Sequence, residues 1–140
     1  MEIYDPDRAI DSVEWTALDE GERHYLVERY HRKKRIKMPN SRVHAAIHVV
    51  VENQIALGGE IPAHKTLARL IREGLSRHDA VHAIGSVLAG QMFDLIKHNA
   101  KGQDVNADYF RQLEELTAEG WLRGPRADCI SSSNSTTTSP

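Results

Sequence analysis

Two pairs of histidines separated by four residues, His44 with His48 and His78 with His82, are the residues of this chain whose type and spacing could do chemistry. Four residues is about one helical turn, so each pair sets two imidazoles on one helix face, the arrangement by which a helix offers two nitrogens to one ion. Glu52 extends the first pair by one further turn, where it could be a ligand, an acceptor orienting His48, or a general base. A site of imidazoles with one carboxylate suits Zn, Fe, Ni or Cu rather than Mg or Ca. Eight histidines scattered at random over 140 residues give roughly half of one such pair, so two are an excess. The same pattern also suits buried, hydrogen-bonded histidines or solvated surface ones. Glu28 and His31 form an i, i+3 carboxylate and imidazole pair of the kind used in di-iron bundles, although the basic run beside it favours a solvated face. His24, His64 and His98 have no partner at ligand spacing.

The elements that must position these residues read as helices throughout. Asp19 and Glu22 form a capping box, and Tyr25, Leu26 and Tyr30 recur at helical spacing, which predicts a first helix near 20 to 33, ended by Pro39. His31-Arg32-Lys33-Lys34-Arg35 suits the negative end of its dipole. Ser41 can cap a second helix to about residue 57, with Val43, Ile47, Val50, Val51 and Ile55 on its buried face and Gly58-Gly59 as its stop. Pro62 opens a short third helix to 73, stopped by Gly74. Ser76 with Asp79 opens a fourth, the most apolar and hence the expected central helix. Asn106 can cap a fifth through Glu119, with Gly120 as its stop. Short connections favour antiparallel neighbours, so the second and fourth helices are expected to run parallel, with all four histidines of the two pairs at one end.

The fold class is therefore all-α, a bundle of about five helices in one domain over residues 1 to 123. Residues 1 to 18 read as a loosely held arm anchored by Trp15 and Leu18. The Ser/Thr-rich stretch from 124 to 140 cannot bury apolar surface and reads as a disordered tail.

The spacing His44-x3-His48-x3-Glu52-Asn53-Gln54-Ile55-Ala56, followed by Leu70-Ile71, Gly74-Leu75, Arg77-His78-Asp79-Ala80 and His82-Ala83-Ile84-Gly85, resembles a family of small bacterial proteins whose domain has no assigned function. The resemblance covers residues 40 to 97 and implies a recurring His/Glu pattern in a helical domain. No reaction comes with it, and Glu28, His31 and the Ser/Thr tail lie outside it.

Composition narrows the function classes. A net charge of −2 gives no overall basic field for nucleic acid. A helix-turn-helix reading of Leu67 to Gly74 and Ser76 onward, with Arg32 to Lys37 on phosphate, is an alternative, against which the second helix has few exposed basic or amide residues after Arg77 and is too apolar to be spared from the core. The longest uncharged apolar stretch, Ala80 to Phe93, is shorter than the roughly 20 residues a spanning helix needs. Without a signal-like N-terminus, and with Cys129 alone, the chain reads as cytoplasmic. A helical adaptor without chemistry is the competing class, and the apolar fourth helix suits a homodimer interface.

Overall fold

The computed structural model describes residues 1–36, 40–98 and 105–124, with the side chains of His98 and Val105 outside that description. Among the described residues the chain is all-helical: α1 (Ser12–Ala17), α2 (Glu20–Lys33), α3 (Ser41–Ala56), a 3-10 turn (Gly58–Glu60), α4 (Ala63–Arg72), α5 (Arg77–His98), α6 (Val105–Glu115) and α7 (Ala118–Arg123). No helix among them is long and apolar enough to cross a membrane. The stop assigned to Pro39 and the tail beyond Gly124 lie outside the described residues.

Local chemistry sets most of these boundaries. The Asp19–Glu22 capping box forms in full at the start of α2. Gly74, at φ 116°, closes α4 with a Schellman motif, in which the Leu75 amide donates to the Leu70 carbonyl and the Gly74 amide to that of Ile71. Ser76 Oγ then accepts from the Asp79 amide and starts α5. Two expected caps differ. Asn40, not Ser41, caps α3, because its side chain reaches the Val43 amide. The helix expected from Asn106 through Glu119 is two helices, and Asn106 lies inside the first. Thr117 breaks it by accepting from the Gly120 amide, while the Glu73 carboxylate accepts from the Ala118 amide, so α7 begins anew and Gly120 sits within it.

The core has two parts, and α3 belongs to both. Ile47 and Val51 join Leu67, Leu70, Val81, Ile84, Leu113 and Trp121 on one side. Ala45 and Val49 join Tyr4, Trp15, Leu26 and Val27 on the other. At 100° per residue, the stripe of His44, His48 and Glu52 falls between these two faces. The polar stripe is therefore sealed from both flanks by apolar packing.

The N-terminal arm is firmer than its composition suggests. Asp11 caps α1 through the Val13 and Glu14 amides, and Trp15 is fully buried, its indole N–H donating to Asn53 Oδ1 at 2.8 Å. Arg23 donates to the Trp15 carbonyl and to the same Asn53 oxygen. Tyr4 and Pro6 are buried too, so residues 1–11 form a strap across α2, α3 and α5 rather than a loose arm.

The fourth expected helix is central only in its first half. Ala80, Val81, Ala83 and Ile84 are buried, whereas Met92, Phe93 and Ile96 are exposed. Nor does α5 run parallel to α3. Glu52 meets Arg77, and His44 meets His82, so contacts proceed in opposite order along the two helices. The short α4 packs against both.

Truncating the strap's anchor tests this packing. We expect Trp15→Ala to cost about 3–5 kcal/mol, the usual range for removing a buried aromatic, read from urea denaturation.

Candidate metal centre

Five histidine rings meet at the seam between α2, α3 and α5. His31, His44, His48, His78 and His82 are all buried, and their ring centroids approach as closely as 4.2 Å, between His78 and His82, and 4.5 Å, between His31 and His44. Four of them, His31, His48, His78 and His82, each offer a ligand atom within 4.8 Å of the others, a set that could hold a metal ion. His44 belongs to the same cluster, with its Nε2 at 3.0 Å from His31 Nε2.

Partners outside the cluster decide which nitrogen of two of these rings carries the proton. His31 Nδ1 lies 2.8 Å from the Val27 carbonyl. A carbonyl only accepts, so the proton is on Nδ1 and the Nε2 lone pair is free to face inward. For His48 the partner is Tyr4, whose hydroxyl donates its one proton to Glu52 Oε2 at 2.6 Å. The Tyr4 oxygen, 3.0 Å from His48 Nδ1, therefore accepts from that ring, and His48 too keeps a lone pair on Nε2. His44 and His82 are each 3.0 Å, Nε2 to Nε2, from those two lone pairs. His78 Nε2 is buried with no hydrogen-bond partner among the described residues. Such a group carries a desolvation cost of about 1–3 kcal/mol.

Electrostatics favour neutral rings. Burial pushes the His31 imidazole down to about 4, helped by His44 and His78 and opposed by the Val27 carbonyl. Burial, then the neighbouring imidazoles, holds His48 and His82 well below the usual histidine range. His78 is lowered by burial as well, against the raising effect of Asp7 and Asp79. Neutral imidazoles are the form that ligates a metal.

Glu52 stands beside the imidazoles rather than among the four converging ligands. It accepts two hydrogen bonds at 2.9 Å from Arg77 and one from Tyr4. Tyr4 thus links it to His48 through one intervening hydroxyl. Arg77 also donates to the Pro6 carbonyl, and the His78 amide to Asp7 Oδ1, which ties the strap over the cluster.

The two four-spaced pairs come together, as does His31, while its expected companion does not. Glu28 lines a separate surface hollow with His24 and Arg42. His24 is paired with Glu20, and His64 is exposed. Sequence reasoning missed Tyr4, Asp7 and Arg77. Arg77, next to His78 in the chain and at the start of a helix whose following turns are apolar, was the one signal available. No family model, curated protein or solved structure matches the chain.

Neutral buried imidazoles make stability depend on pH. Above about 6.5 folded and unfolded states are both unprotonated and the contribution is complete. As pH falls from there toward 4, the unfolded state takes up protons that folded His31 refuses, and stability drops. We expect His31 alone to cost about 3 kcal/mol across that window, with His48, His78 and His82 adding to it. Urea midpoints of metal-free protein at a series of pH values measure the loss, and a flat profile would contradict it.

Proposed function

We propose that the protein binds a divalent transition-metal ion at the buried centre, through His31 of α2, His48 of α3, and His78 and His82 of α5. The observation that carries this reading is the convergence of four buried imidazoles, with ligand atoms within 4.8 Å of one another. Two of them have Nε2 lone pairs set inward by outside partners, and a third has a buried nitrogen without a hydrogen-bond partner among the described residues. Around a tetrahedral ion with bonds of about 2.0–2.1 Å, ligand nitrogens stand about 3.3–3.4 Å apart, so binding needs ring movements on the order of 1 Å. His44 and His82 give up their hydrogen bonds to His31 and His48 as the ion takes those lone pairs.

The donor set is all nitrogen, which favours Zn, Fe, Ni or Cu over Mg and Ca. Glu52 serves through Tyr4, fixing the orientation and proton position of His48 rather than holding the ion or acting as a base. We further infer that residues 40 to 97 belong to the bacterial family their motif resembles. That family carries no reaction, so the chemistry rests on the imidazoles alone.

Metal analysis of purified protein, with titration of the metal-free form by Zn, Ni, Co and Fe, tests the reading. We expect saturable binding of one ion per chain and a rise in melting temperature, since ligand at 100 times its Kd adds about 2.7 kcal/mol. His48→Ala and His78→Ala should abolish the rise, and His64→Ala should leave it intact. Tyr4→Phe should weaken binding about 10–100-fold, the usual effect of losing a partner behind a metal ligand. Absence of binding by every ion, or unchanged binding in His48→Ala and His78→Ala, rejects the site.

A further inference from the structure

A guanidinium has two edges that can each hold a carboxylate through a pair of parallel N–H donors. Arg77 gives its end edge, Nη1 and Nη2, to the two oxygens of Glu52 and its outer Nη1 proton to the Pro6 carbonyl. Among the described residues, the side edge, formed by Nε–H and the remaining Nη2–H, makes no hydrogen bond of ordinary geometry. Arg77 is nonetheless only 9% exposed. It borders a cavity of about 260 Å³ between the strap, α3 and α4, to which none of the five clustered imidazoles contributes.

The cavity has the other parts of a small-anion site. Ile10, Ile55 and Leu67 give it apolar walls, and His64, in the first turn of α4, stands at its edge. No side chain caps that helix, so the positive end of its dipole is not neutralised there. Glu52 also lines the cavity, but its charge is already matched by the Arg77 end edge. An incoming anion therefore meets an electrically balanced pair together with two unused donors.

We propose that this cavity binds a small monocarboxylate with a short apolar chain, its carboxylate on the side edge of Arg77 and its chain against Ile10, Ile55 and Leu67. Planar geometry selects the carboxylate. Two parallel donors on one guanidinium edge match two coplanar oxygens, and the apolar walls reward a hydrocarbon substituent. The site is separate from the imidazole cluster and does not require an ion there.

Calorimetric titration of the full chain, in metal-free and in zinc-supplemented form, with butyrate, butyramide and inorganic phosphate tests the assignment. We expect saturable butyrate binding in both forms, at least about tenfold tighter than that of butyramide, which has the same shape without the charge. Arg77→Lys keeps a positive charge for Glu52 but loses the planar edge, and should weaken butyrate about tenfold or more. Ala9→Trp fills the cavity from the strap and should abolish binding while leaving the circular dichroism unchanged. That second variant decides the matter where Arg77→Lys fails to fold. Equal affinity for butyramide, tighter binding of phosphate than of butyrate, or undiminished binding by Ala9→Trp overturns the proposal. Because butyrate is tested without metal, its failure is distinct from failure of the imidazole site.

Discussion

The buried contact of Arg77 with Glu52 is the constraint on which the rest of the site depends. Taking both charges out of water costs several kcal/mol per ion, and only close pairing with further hydrogen bonds recovers it. Glu52 obtains two bonds from Arg77 and a third from Tyr4, and Arg77 obtains the Pro6 carbonyl. Satisfying these two residues therefore requires α3, α5 and the strap to be in place at once. A pair of this kind adds little net stability compared with apolar packing, but breaking it leaves an uncompensated charge inside the protein. Its effect is to specify where the strap lies and which stretch of α3 faces which stretch of α5.

The imidazole cluster follows from that specification. Once Tyr4 spends its proton on Glu52, its oxygen can only accept, and His48 is obliged to turn a lone pair inward. The Val27 carbonyl imposes the same on His31 from a different helix. Burial keeps the rings neutral, so the cluster concentrates lone pairs without concentrating charge. Within the cluster the His31 and His48 lone pairs are met by His44 and His82. The His78 Nε2 has no hydrogen-bond partner among the described residues, a cost that an apolar residue at the same place would avoid.

Much of this was legible in the residues and some was not, for identifiable reasons. Helical spacing, capping pairs and glycine stops are local, and they placed α2 to α4 and the start of α5 within a residue or two. The two four-spaced histidine pairs are local as well, and their faces follow from helical geometry alone. Direction is different: antiparallel order between successive helices is a tendency of neighbours of comparable length, and α4, at ten residues, is shorter than α3 and α5. The apolar second half of α5 was read as core because hydrophobicity by itself cannot say whether a covering apolar element is present, and Phe93 and Ile96 are exposed and belong to neither core cluster. The strap was missed because Tyr4 and Pro6 have no periodicity. Their burial depends on Arg77 and Glu52, more than forty positions away.

Arg77 is where the two halves of the molecule's chemistry touch. Its end edge leads by direct hydrogen bonds through Glu52 and Tyr4 to His48, and the same residue borders the cavity beneath the strap. Ligands at the two proposed positions would both act on the contact of Arg77 with Glu52, and any such linkage would be reciprocal. The chain of bonds is short, continuous and buried, so solvent screens it weakly. An arginine so placed cannot be exchanged for lysine without loss, since an ammonium has no planar edge with which to hold both Glu52 oxygens while donating to the Pro6 carbonyl.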